Sequence, residues 1–189
     1  MITAEEIARF REIPTPFYFY DMELLGRTVN AAKETAAKHG FKIHYALKSN
    51  FDPRITETMA RAGFGADCVS GNEVKYAVEH GFPADGIVYA GVGKSDKEIE
   101  CALDAGIFAF NCEALQELQV IDALAEAKGV TAQVALRINP GIDAHTHKYI
   151  STGNAYDKFG ISEKEIEMIL NELPEMKNIR AIGLHFHVG

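Results

Sequence analysis

The chain has 189 residues, 47% of them hydrophobic and 24% charged, which suits one soluble globular domain with a full core and argues against disorder. A net charge of −8 argues against a nucleic-acid or anionic-membrane partner, while leaving room for a local basic pocket. No apolar run is long enough to span a bilayer, and Met1–Phe10 reads as an amphipathic segment rather than a signal peptide, so a cytoplasmic protein is expected.

Strand-like runs alternate with helical patterns along the chain. Phe17–Tyr20 reads as an early strand. Asp21 caps a helix running to about His39, with Gly40 as its stop, and Asp52-Pro53 opens another. Ser70-Gly71-Asn72-Glu73, Ser95-Asp96-Lys97-Glu98 and Ser162-Glu163-Lys164-Glu165 fit the capping box, in which a serine and a glutamate satisfy each other's backbone donors. Between these lie strands at Ile43–Lys48, Gly65–Val69, Ile87–Ala90, Ile107–Asn111, Gln133–Asn139 and Ile179–Val188, an order that implies a parallel sheet. Pro140 to Gly160 is the one long irregular stretch, of a length more often functional than decorative. Cys68, Cys101 and Cys112 are odd in number, lack metal-ligand spacing and sit in apolar segments, so each reads as a buried structural thiol.

Alternation within the strands favours a barrel over an open doubly wound sheet, whose strands would be apolar on both faces. Phe64, Ala66 and Cys68 oppose Gly65 and Asp67; Val134, Leu136 and Ile138 oppose Ala135, Arg137 and Asn139; Leu184, Phe186 and Val188 oppose His185 and His187. The polar groups gather on one face and toward the carboxyl ends of their strands, where (β/α)8 enzymes place their chemistry. Lys48 stands out among them. It shares a face with His44 and Ala46 in an otherwise apolar and aromatic strand, where desolvation would lower the amine's pKa and suit it to attack a carbonyl and form a Schiff base. The alternative is a lysine at a strand end reaching out into water.

Six segments carry a resemblance. Tyr45-Ala46-Leu47-Lys48-Ser49-Asn50, Asp67-Cys68-Val69-Ser70-Gly71-Asn72-Glu73, Arg137-Ile138-Asn139-Pro140, Thr146 to Gly153 (Thr-His-Lys-Tyr-Ile-Ser-Thr-Gly), Lys158-Phe159-Gly160 and Gly183-Leu184-His185-Phe186-His187-Val188-Gly189 occur in the order found in diaminopimelate decarboxylases. The chain thus resembles the alanine-racemase-like, fold-type III enzymes that use pyridoxal 5′-phosphate. The loop from Thr146 followed by Lys158-Phe159-Gly160 is more similar to the diaminopimelate branch than to the ornithine or arginine branches, and a decarboxylase of the ornithine, arginine or carboxynorspermidine type is the alternative the resemblance leaves.

The resemblance implies that Lys48 holds the cofactor as a Schiff base and later carries a proton, and that His187 stacks on the pyridine ring. It implies that Asp67 lies near the Schiff base, favouring its charged form, and that Arg137 pairs with acidic groups at the site. Glu73 also matches a family position, although its place in a capping box already accounts for it. His185 is either a second neighbour of the ring or a hydrogen-bonded core histidine. The implied reaction converts meso-2,6-diaminopimelate to L-lysine and carbon dioxide in a homodimer whose sites are completed across the interface.

Family members continue with a serine, a glycine-rich phosphate loop, a Glu-Pro-Gly-Arg segment and a β domain. The expectation is therefore a partial (β/α)8 barrel, about six of eight strands over residues 21–189, preceded by a segment 1–20 bearing a strand of that β domain. Such a piece would bind cofactor poorly and be inactive alone. Two other classes compete. A non-enzymatic pyridoxal-phosphate-binding homeostasis protein would share the barrel and the lysine, yet it is not expected to carry the Thr146–Gly153 loop or the early Phe17–Tyr20 strand. A metal-dependent hydrolase is suggested by His145-x-His147 and His185-x-His187, but no carboxylate set completes it, and the expectation is no metal. Gly91-Val92-Gly93-Lys94-Ser95 is not a nucleotide phosphate loop, since position 88 is valine where glycine is required; Gly93 and Ser95 are assigned to a turn and a helix cap.

Overall fold

The computed structural model describes residues 2–140 and 159–187. Six parallel strands, β1 (His44–Ala46), β2 (Gly65–Cys68), β3 (Ile87–Tyr89), β4 (Ala109–Cys112), β5 (Ala132–Arg137) and β6 (Ile179–His185), form one sheet in the order of the chain. Each strand lies beside its predecessor, so the order never reverses as it does in a doubly wound sheet, and the sheet is that of a partial (β/α)8 barrel. The helices are α1 (Ala4–Phe10), α2 (Met22–Lys38), α3 (Pro53–Arg61), α4 (Gly71–Glu79), α5 (Asp96–Ala105), α6 (Leu115–Lys128) and α7 (Glu163–Glu172).

The helix starts obey their capping residues. Asp21 accepts from Leu24 N–H at 2.8 Å and Asp52 from Arg54 N–H at 3.0 Å, with Pro53 in the first turn of α3. Thr3–Glu6, Ser95–Glu98 and Ser162–Glu165 form complete capping boxes. The expected box at Ser70 is only half formed. Ser70 accepts from Glu73 N–H, but the Glu73 carboxylate reaches past it to Val69 N–H at 2.8 Å. The amide of Gly71 is taken instead by Glu98, at 3.0 Å, so one carboxylate serves the starts of two neighbouring helices. Those donors, Gly71 N–H first, hold the Glu98 carboxyl below its usual range. The close approach requires glycine: a Cβ at position 71 would lie 2.7 Å from Glu98 Cγ.

The core sits between the sheet's outer face and the helices. Ala66, Cys68, Ile87, Tyr89, Phe110, Cys112, Val134 and Leu136 point outward and pack against residues such as Val74, Ile99, Leu118 and Ile121. Burial pushes the Cys68 and Cys112 thiols up, as suits inert core groups; Cys101 is half-buried. The opposite face collects Asp67, Val88, Ala109, Asn111, Ala135 and Arg137.

Among the described residues Phe17–Tyr20 pairs with no strand, so the β-domain strand expected there is not tested; Phe17 and Phe19 pack against Phe10, with ring centres 5.5 and 4.8 Å away, and the segment folds back on α1. Two expectations differ. The first strand ends at Ala46 rather than Lys48, because Leu47–Ser49 winds into a single 3-10 turn closed by Ser49 Oγ on Ala46 O at 2.7 Å. In β6 a bulge intervenes: Val134 pairs with Ala181 but Ala135 with Gly183, leaving Ile182 as an extra residue.

Candidate functional site

Strand ends and the turns that follow them build one cleft, of about 490 Å³, on the carboxyl side of the sheet. Lys48, Asp67, Arg137, His185 and His187 all line it. The bulge at Ile182 is what brings the histidines in. Strict alternation from Ile179, which pairs with the outward Ala132, would send position 185 toward the helices. One extra residue restores His185 to register with the inward Arg137.

Lys48 is exposed, on the turn beyond β1, so the desolvated lysine expected from strand alternation is corrected to an amine presented at the rim of the cleft. Tyr45 Oη donates to Asn50 O at 2.8 Å and fixes that turn from beneath. Asp67 lies within electrostatic reach of Lys48. Burial raises the Asp67 carboxyl, while the charges of Lys48, His44, His187 and Arg137 pull it down. His187 is lowered by burial and by the cations Arg137 and Lys48. His185 is lowered further, to about 4, by burial first and then by Arg137, and its Nδ1 has no hydrogen-bond partner among the described residues. A neutral imidazole can present a flat face and a lone pair without bringing charge.

Arg137 pairs with an acid, and that acid is Glu113, at 2.7 Å; the side chains are 10% and 6% exposed. Phe159 stacks on the guanidinium with its ring centre 5.0 Å from Cζ. The other Glu113 oxygen accepts from Gly160 N–H at 3.2 Å. Here the chain returns to the end of β5, with Ile161 N–H on Arg137 O and Asn139 N–H on Ile161 O. Gly160 has φ +81°, and a Cβ would stand 2.9 Å from Asn139 N and 3.1 Å from Ile138 C, so this return admits only glycine.

Glu73 does not line the cleft; its carboxylate is engaged at the start of α4. The Thr146–Gly153 motif, with His145 and His147, lies outside the described residues. Among the described residues no three His, Cys, Asp or Glu gather to hold a metal ion. No described helix is long and apolar enough to cross a membrane. Sequence reasoning passed over Glu113, Glu117 and Lys94. Their signal was positional: each lies within five residues after a barrel strand, on the side where sites are built.

Residues 23–189 match the family described as pyridoxal-dependent decarboxylase, pyridoxal binding domain. The chain is 49% identical over 184 residues to a diaminopimelate decarboxylase of Bacteroides thetaiotaomicron, covering 97% of this chain and 48% of that protein. Among solved structures it is similar to a variant diaminopimelate decarboxylase from Helicobacter pylori complexed with L-lysine, with TM-score 0.89, 39% identity, and coverage of 97% of this chain and 46% of that one. The diaminopimelate decarboxylase of M. jannaschii in co-complex with L-lysine gives TM-score 0.85 at 33% identity, covering 97% and 44%. The chain thus spans about half the length of the relatives it matches.

Proposed function

The chain belongs to the pyridoxal-dependent decarboxylases, as their pyridoxal-binding domain, and from that membership we propose that it forms the cofactor-binding part of a diaminopimelate decarboxylase, which converts meso-2,6-diaminopimelate to L-lysine and carbon dioxide. The convergence of Lys48, Asp67, Arg137 and His187 on one cleft is the observation that carries this reading.

The residues present suit pyridoxal 5′-phosphate. An exposed primary amine stands at the rim, a half-buried carboxyl faces it, and an imidazole on the far side offers a flat surface. When bound, the cofactor supplies an electron sink for the pair left on the α-carbon as carbon dioxide departs. Lys48 would hold it covalently through Nζ. Free of that bond, the amine at the rim can hold a proton and return it from the side on which it stands. Asp67 supplies negative charge near Lys48, which favours a protonated nitrogen there. His187 limits tilting of a ring laid against it, and Arg137, its charge balanced by Glu113, works as a fixed donor on the wall.

The proposal extends to a cytoplasmic homodimer as the working form. The first test adds pyridoxal 5′-phosphate to the chain, reduces with borohydride and maps the adduct by mass spectrometry. A single adduct on Lys48 supports the reading; scattered labelling, or none, overturns it. Carbon dioxide release by the holoenzyme from meso-diaminopimelate, compared with L-ornithine and L-arginine, tests the substrate; a preference for either of the latter sinks that assignment.

A further inference from the structure

Lys94 is more deeply buried than Arg137, with 1% of its side chain exposed. An ammonium taken out of water is tolerated only when its protons find acceptors. All three do. Nζ donates to Gly91 O at 2.9 Å, to Asn111 O at 3.0 Å and to Glu117 Oε1 at 2.5 Å, and it lies 5.2 Å from the centre of the Tyr89 ring. These acceptors come from the turn after β3, the end of β4 and the first turn of α6, so one cation ties together successive βα units. The second oxygen of Glu117 accepts from Glu113 N–H at 2.7 Å. Glu113 in turn holds Arg137 and Gly160 N–H, as described above. The result is a continuous chain of contacts, two cations flanking two carboxylates, that runs along the wall of the cleft, which Lys94, Glu113 and Arg137 all line.

We propose that Glu113 is the positioning residue of Arg137 and that the Lys94–Glu117 pair positions Glu113, the four side chains forming one neutral strut that fixes the guanidinium on the wall of the cleft. Glu113 begins the connection between β4 and α6, and such a connection has no ladder to hold it. Its backbone amide is instead pinned by Glu117, which is itself immobilised by Lys94. Its carboxylate is thereby presented at one height above the sheet. Arg137, with Nη1 committed and its charge compensated, becomes a directional donor rather than a mobile counter-ion for any anion that enters. The consequence for the cofactor rests on the function proposed above, whereas the strut itself does not.

The test uses nitrogen NMR of the Arg137 guanidinium in the 189-residue chain, together with the concentration dependence of Lys48 labelling by pyridoxal 5′-phosphate. In the unmodified chain the paired guanidinium should rotate slowly and show resolved Nη signals. Glu113→Gln keeps the size of the side chain and removes its charge, so the signals should merge. The double variant Lys94→Met, Glu117→Met replaces the buried pair by apolar side chains, an exchange that leaves many proteins folded. It should also mobilise Arg137, and in both variants the half-saturating cofactor concentration should rise roughly tenfold, as when groups supporting a site's inner ligands are lost.

Unchanged Arg137 signals in Glu113→Gln overturn the proposal outright. Mobilisation in Glu113→Gln but not in a folded double variant overturns the part assigned to Lys94 and Glu117. Merged signals with no Lys48 labelling even in the unmodified chain leave the strut standing and remove the function instead.

Discussion

The two cations that approach the cleft from opposite flanks of the sheet are held in opposite ways. Arg137 ends β5 with its guanidinium paired to Glu113, faced by Phe159 and tied through Glu117 to a lysine that water does not reach. Lys48 stands exposed on a single turn beyond β1, and no hydrogen bond or ion pair ties its amine to a described residue. The difference matches the roles proposed for the two groups. A group that orients a ligand gains from burial and fixed partners, because reorganisation is then done once, during folding. A group that must form and break a covalent bond cannot be committed to a neighbour, and a short turn between β1 and α3 leaves it free.

Substitution separates the two flanks. Lys48→Met should abolish the borohydride-trapped adduct completely while changing stability by no more than about 0.5 kcal/mol, as expected for an exposed side chain; a large fall in melting temperature by circular dichroism would show that Lys48 is structural after all. Glu113→Ala should do the reverse. It leaves the buried guanidinium uncompensated at a cost of about 3–5 kcal/mol, read from urea unfolding, and a loss below about 1 kcal/mol would mean that water reaches Arg137 and balances it.

A smaller effect concerns His185. Its imidazole titrates near 4 when folded against 6.5 in the open chain, so between those values the unfolded state binds more protons and stability falls as the pH is lowered. With solvent screening the contribution should be about 1–2 kcal/mol, fully present above pH 6.5 and lost by about pH 4. Asp67, raised by burial, contributes with the opposite sign. The difference between the unmodified chain and His185→Gln therefore isolates the histidine, and parallel pH profiles would contradict the assignment. The weakest effect is expected at Leu184, 64% exposed on the outer face of β6: Leu184→Ser should alter stability by under about 0.5 kcal/mol in this chain. A clear loss there would show that a further layer covers this face in solution.

Much of the site is legible in the sequence. Asp67, Arg137, His185 and His187 were identified from strand parity and the family resemblance, and all reach the cleft. Lys48 was identified as well, but its surroundings were not. Alternation was extended two residues past the point where Ser49 Oγ and Tyr45 Oη turn the chain. Glu73 was explained better by the start of α4 than by the site, although its partner proved to be Val69 rather than Ser70. The strut of Lys94, Glu117 and Glu113 was missed because a buried lysine looks in sequence like any other, and its acceptors stand up to 23 residues away.

What the sequence alone determined here is the short-range part: helix starts at Asp21, Asp52, Ser95 and Ser162, the parity of β2 and β5, and the gathering of polar groups at strand ends. These depend on contacts within four residues or on a period of two, so they are written locally. Only the tertiary structure decided the phase of β6, where pairing with β5 leaves Ile182 over and turns His185 inward, and the choice of partner for each buried charge. Both depend on which strands and turns meet across the sheet. A partner for a buried charge is selected by the low dielectric and geometry of that meeting place, and no residue's immediate neighbours encode it.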